Sequence, residues 1–150
     1  MLTTAGAVNA AYCTSIGADE VIDYHTKNWW DDAIVRDNSV DVVYDCVGQA
    51  GSGSRAMMKL REGGYYVTIA GGMGSRPRPG RHQAMFINSD TNLDNVPLLD
   101  ALANFSSHDQ LRMPHLDVFP LAQSGDAFAH MAAPDRSGKT VISIRNATAL

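Results

Sequence analysis

Short apolar runs alternate with segments of helical periodicity along almost the whole chain, which is the rhythm of a parallel sheet with helices on both faces. The runs predict strands over residues 2–4, 20–23, 40–46, 65–70, 84–88 and 140–144. Val42, Val43 and Tyr44, like Tyr66, Val67 and Ile69, form nearly unbroken apolar stretches, as expected of strands covered on both sides in a sheet's middle. Ala7, Val8, Ala11, Tyr12 and Ile16 share one helical face, and Gly17 supplies the left-handed residue that ends such a helix. Thr26 can cap a second helical segment whose Trp29, Trp30, Ala33 and Ile34 would cover the sheet. Residues 93–105 and 121–131 carry two more helical patterns, the latter with Leu121, Phe128 and Met131 on one face. Prolines and glycines in MGSRPRPGRH forbid regular structure, and three arginines predict a wet surface loop there.

A length of 150 residues suits one core-forming domain. With 45% hydrophobic and 19% charged residues and a formal net charge of -4, the chain reads as an ordinary globular protein without a nucleic-acid partner. The first residues lack a basic start and a continuous apolar run, and no later stretch is long enough to span a membrane, so a cytoplasmic protein is expected. Cys13 and Cys46 lie far apart and are expected to be buried thiols rather than a disulfide or zinc pair.

Candidate chemistry is sparse. The five histidines, His25, His82, His108, His115 and His130, show no metal-ligand spacing, so no metal site is expected. No catalytic residue can be named. Asp41 and Asp45 share a strand face at period two and read as ordinary strand-end acids. Gly51-Ser-Gly53-Ser-Arg-Ala56 matches the letters of a dinucleotide fingerprint, but it stands several residues beyond its strand and no ribose-binding acid ends the next one. A loop of small residues is the expectation there.

Four pieces together carry a family resemblance: Ile16-Gly-Ala-Asp-Glu-Val-Ile-Asp-Tyr24, Val42-Val-Tyr-Asp-Cys-Val-Gly48, the Gly63-Gly64 turn into residues 65–72, and Ser137-Gly-Lys-Thr-Val-Ile142. The chain resembles the C-terminal part of the cofactor domain of medium-chain dehydrogenases/reductases, the zinc-type alcohol dehydrogenase and quinone oxidoreductase superfamily. The resemblance implies an α/β, Rossmann-like doubly wound parallel sheet that is incomplete, with the first strand, glycine-rich turn and first helix absent. Residues 1–150 would be a partial nicotinamide-dinucleotide-binding domain, and the catalytic domain would be absent. In the family's strand order, the strands at 2–4 and 40–46 would then face a gap, which favours their direct pairing or dimerisation.

The implied cofactor is NADP, with NAD as the alternative; zinc is not readable from this segment. Tyr24 matches a tyrosine that lies beside the adenosine 2′-phosphate in quinone oxidoreductase relatives, while Asn9 stands where several NADPH-using relatives carry a lysine or arginine. Thr4 and Gly6, at the end of the first strand, bring no carboxylate that would repel that phosphate. Val47, Gly48, Ala70 and Gly71 fall at the carboxyl ends of strands, where open parallel sheets bind ligands, and would line the nicotinamide half of the groove. The expected function is that of a fragment of an NADP(H)-dependent oxidoreductase, passing a hydride to a quinone, enone or carbonyl and inactive alone. The alternative is a non-catalytic dimerisation or regulatory module. Expected partners are the dinucleotide, a small-molecule substrate only with the missing catalytic domain, and a second copy meeting the strand at 84–88.

Overall fold

The computed structural model describes residues 1–85, 96–108, 110–111, 114–133 and 136–144. It forms two compact units, Met1–His25 with Leu93–Leu150, and Thr26–Asn92. Every strand pairing among the described residues is parallel. The fold is α/β with parallel strands, as the alternating pattern predicts, and Rossmann-like, as the family resemblance implies.

In the first unit, β1 (Leu2–Ala5) pairs with β2 (Glu20–Asp23), and the connection is a single 3-10 turn running into α1 (Ala10–Ser15). Gly17, at φ +111°, closes this crossover as expected. The same unit holds α3 (Val96–Ser107), β6 (Leu116–Pro120), α4 (Ser124–Ala132) and β7 (Lys139–Ser143), with β6 paired to β7. The pattern missed β6, because Pro114 and Pro120 bracket a run of few apolar residues.

The second unit contains β3 (Val40–Asp45), α2 (Ser52–Lys59), β4 (Leu60–Thr68) and β5 (His82–Met85), in the sheet order β3-β4-β5. Its core is Ala56, Met57 and Leu60 from the end of α2 and the start of β4, closed by Tyr66, with Trp29, Val40 and Val43 against it. Burying side chains of this size contributes about 1.5–3 kcal/mol each for the larger ones. Lys59 is buried beside this core and is held by Asp37 at 2.8 Å and Asp32 at 3.4 Å. Burial pushes its ammonium down, but the two carboxylates outweigh that and hold its pKa above the ordinary lysine value.

Several expectations change. β3 is not covered on both sides: Val42 and Tyr44 are exposed, while Val43 and Asp45 are half-buried, so the strand alternates. The segment after Thr26 is not a helix. Asp31 accepts from the Ala33 N–H and Asp32 from the Asp37 N–H, so aspartate side chains compete for the donors that a helix would use. Gly51–Ala56 is not a loop, since α2 begins at Ser52 behind Gly51 in the left-handed conformation. The arginine-rich loop is irregular as expected, but Arg78 donates to the Met57 and Met58 carbonyls and Arg81 to that of Leu60, capping the end of α2. Cys46 is exposed and Cys13 half-buried, so neither is a buried thiol. Residues 86–88 of the expected strand at 84–88 lie outside the described residues, and the observed strand begins earlier, at His82.

β1 and β3 do not pair; they belong to separate sheets. Each strand takes the partner that a short crossover brings alongside it, β2 for β1 and β4 for β3.

Candidate functional site

The last register pair of β3 and β4 is Asp45 opposite Thr68, and both side chains fold back on the loop that follows their strand. Asp45 Oδ1 accepts from the Val47 N–H at 2.9 Å and the Gly48 N–H at 2.8 Å. Thr68 Oγ1 accepts from the Ala70 N–H at 3.3 Å and the Gly71 N–H at 2.7 Å. Both loops thus use one device: an oxygen at position i gathers the amides of i+2 and i+3. The sequence carries it as Asp-Cys-Val-Gly and Thr-Ile-Ala-Gly, a repeated signal from which Asp45 and Thr68 can be read as loop anchors.

The two loops touch. A side chain at Gly48, whose φ is +73°, would run into the Ala70 carbonyl, and a Cβ on Gly71 would come within 2.7 Å of Gly48 Cα. Val47, Gly48, Ala70 and Gly71 therefore form one rim at the carboxyl end of the sheet, the place where open α/β sheets take ligands.

Behind the rim lies a buried polar network. Asp45 Oδ2 accepts from Ser52 Oγ at 2.5 Å and from the Tyr66 hydroxyl at 2.9 Å. Tyr66 and Thr68 are both fully buried. Burial pushes the Asp45 carboxyl upward, yet the bonds from Gly48, Ser52, Val47 and Tyr66 together hold its pKa below the ordinary carboxylate range. Burial raises the pKa of Tyr66, and the neighbouring Asp45 carboxylate adds to that. Asp45 therefore stays an anion at the start of α2, where the helix's positive end favours it. The glycines of the fingerprint-like run have another purpose: a Cβ on Gly53 would meet the Gly74 nitrogen at 2.5 Å and the Gly72 oxygen at 2.7 Å. Gly53 lets residues 72–74 cross α2 closely, and the side chain of Gln83 holds that crossing through the Gly74 N–H and carbonyl at 2.8 and 3.4 Å.

Thr4, Gly6 and Tyr24 lie in the first unit, at the carboxyl end of the β1–β2 pair, where Ala5 faces Asp23 in register. Thr4 is exposed and Gly6 buried. Tyr24 is exposed and stacks on His25 with ring centroids 4.2 Å apart. Asp23 fixes that residue by accepting from the His25 N–H at 3.0 Å and facing its Nδ1 at 3.1 Å. His25 is the neighbour that the sequence reading did not connect to Tyr24.

Among the described residues, no group of three or more His, Cys, Asp or Glu side chains is placed to hold a metal ion. His115 and His130 do share Asp117, at 3.1 and 3.7 Å, but the three make no metal-ligand set. Nor is any helix among these residues long and apolar enough to cross a membrane.

Parallel strands and short crossovers define a Rossmann-like class. A family model described as zinc-binding dehydrogenase matches residues 16–142, and the chain belongs to that family, within the medium-chain dehydrogenases/reductases. No curated protein matches it significantly. Among solved structures, the quinone oxidoreductase from Coxiella burnetii is similar at 24% identity and a TM-score of 0.68, over 96% of this chain and 44% of that one. The CurF ER cyclopropanase from the curacin A biosynthetic pathway is similar at 21% identity and a TM-score of 0.72, over 93% of this chain and 45% of that one. An alcohol dehydrogenase superfamily protein from Novosphingobium aromaticivorans shows 20% identity and a TM-score of 0.71, over 95% of this chain and 47% of its own. What is shared at these identities is the fold, and the chain spans a little under half the length of these proteins.

Proposed function

We propose that this chain is part of the nicotinamide-binding domain of a cytoplasmic NADP(H)-dependent oxidoreductase, acting on a quinone, enone or carbonyl, and that it is inactive without a catalytic domain. The observation that carries the reading is the rim at the ends of β3 and β4, set edge to edge by the contact between Gly48 and Ala70–Gly71 in a chain of this family. NADPH, when bound, supplies the hydride. The residues of this chain bind and orient. Val47, Gly48, Ala70 and Gly71 would line the nicotinamide, while Thr4, Gly6 and Tyr24 would serve the adenosine end. The rim suits a nicotinamide better than a phosphate, because its amides are already bonded and α2 begins beside the Asp45 carboxylate. The zinc of the family's description finds no donor set among the described residues, and no step is assigned to it.

Calorimetric titration of the chain with NADPH and NADH tests the cofactor, and a parallel assay of NADPH oxidation with a quinone and an enone tests inactivity. Tighter binding of NADPH than NADH and no turnover are expected. Equal affinities would contradict NADP, and turnover by the purified chain would contradict the dependence on a further domain.

A further inference from the structure

We propose that a groove between α4 and β7 is a binding site for a small uncharged phenol, held by its ring on apolar walls and by its hydroxyl on Thr140. The groove lies wholly in the first unit and owes nothing to the β3–β4 rim.

Its walls follow from two periodicities. Phe128 and Met131 stand three apart on α4 and so share a face, with Ala127 beside them. Thr140 and Ile142 stand two apart on β7 and so point to the same side of the strand. Ala127 is fully buried and makes the floor, while Phe128 and Met131 are 60% and 48% exposed and make the sides. The groove has a volume of about 270 Å³, and an apolar cavity of about 150 Å³ already takes a benzene ring. One ring with a short substituent is therefore the size it fits. Phe128 and Met131 favour an aromatic body through ring–ring and sulfur–ring contacts. None of the five lining side chains is charged, so a charged head would lose its hydration without gaining a partner.

Of these five side chains only Thr140 is polar, and its environment fixes what it can offer. Its Oγ1 lies 3.1 Å from Nδ1 of His130. The other ring nitrogen, Nε2, faces Asp117 Oδ2 at 3.7 Å, and an ionised carboxylate only accepts. In the neutral imidazole the hydrogen therefore sits on Nε2, and Nδ1 accepts the hydrogen of the Thr140 hydroxyl. His115 Nε2 approaches the remaining oxygen, Asp117 Oδ1, at 3.1 Å, and the Phe119 ring tilts against His130 with centroids 5.4 Å apart. With its one hydrogen spent, Thr140 presents lone pairs alone to the groove. The ligand head must donate, which a phenol hydroxyl does and its methyl ether cannot.

The probes are 4-ethylphenol and 4-ethylanisole, which share the ring and the ethyl group and differ in the donor. Each is titrated into the full ¹⁵N-labelled chain at about pH 8, above the ordinary histidine range. Amide shifts should centre on residues 127–131 and 140–142, with 4-ethylphenol binding about fivefold more tightly, the effect of one net hydrogen bond. Thr140→Val should still bind both ligands and bring that ratio to about one, and Thr140→Ser should restore it. Phe128→Ala, at an exposed position, should weaken both ligands alike. Equal affinities in the unsubstituted chain would overturn the proposal. So would a ratio that stays the same in Thr140→Val with native amide dispersion, or shifts that leave these residues silent.

Discussion

The two strand ends assigned to the ligand are built in opposite ways. At the end of β3 and β4, buried side chains gather the loop amides, and two loops pack backbone on backbone. At the end of β1 and β2, the assigned tyrosine is 57% exposed and rests on its sequence neighbour, with Asp23 holding only the next residue. A rim made of backbone must be shaped before a ligand arrives, because backbone cannot change rotamer. An exposed aromatic side chain can turn to meet its ligand. The first end therefore couples the shape of its loops to stability, and the second does not.

The largest contrast is expected from the two tyrosines. Tyr66→Ala should cost about 3–5 kcal/mol, since it empties a core position and strands the Asp45 network. Tyr24→Ala should stay within about 0.5 kcal/mol. Urea unfolding followed by tryptophan fluorescence measures the first well, because Trp29 and Trp30 are the chain's only tryptophans and both lie in the unit of Tyr66. Comparable losses for the two variants would erase the comparison.

Glycine substitutions sharpen it. Gly48→Ala meets both a positive φ and the Ala70 carbonyl, and should cost about 2 kcal/mol or more. Gly17→Ala, in the other unit, meets a positive φ of +111° with no atom within 4 Å of its new Cβ, and should cost about 1 kcal/mol. Denaturation midpoints at constant slope rank the two.

The pH response should also separate the ends. The pKa of Asp45 is lowered in the folded chain, so its contribution is present above the unfolded carboxylate pKa and is lost as pH falls through the folded value. Unfolding of the Thr26–Asn92 unit should therefore become easier in acid, and Asp45→Asn should flatten that dependence while lowering stability near neutrality by about 1–3 kcal/mol. An unchanged acid limb would remove Asp45 from the account. The smallest effect on stability belongs to Tyr24→Ala, whose expected change is instead a weaker affinity for NADPH, read by calorimetry.

Much of this was legible in the chain. Apolar runs located β1, β2 and β3 to within a residue, because a strand's apolar positions are local and Gly17 marks the crossover without help from distant residues. β4 starts at Leu60, earlier than its apolar run, because Leu60 joins the core while Arg61–Gly64 pass through a shift in register that no periodicity signals. The segment from Trp29 to Ile34 has helical spacing, yet Asp31 and Asp32 divert the backbone. The rim residues were legible from their strand-end position. For the anchors Asp45 and Thr68 the sequence carries only the shared spacing of Asp-Cys-Val-Gly and Thr-Ile-Ala-Gly; the register that sets them side by side, and the reach of Tyr66 and Ser52 to the same carboxylate, are visible only in the fold.

The central claim is that the rim at the ends of β3 and β4 receives the nicotinamide end of the cofactor on a preformed backbone. Titrating NADPH into the ¹⁵N-labelled chain and mapping the perturbed amides tests it most directly. The account predicts the largest shifts at Val47, Gly48, Ala70 and Gly71, with residues 52–54 at the start of α2 unmoved. Shifts centred on residues 52–54, or a silent rim at saturating NADPH, would contradict it.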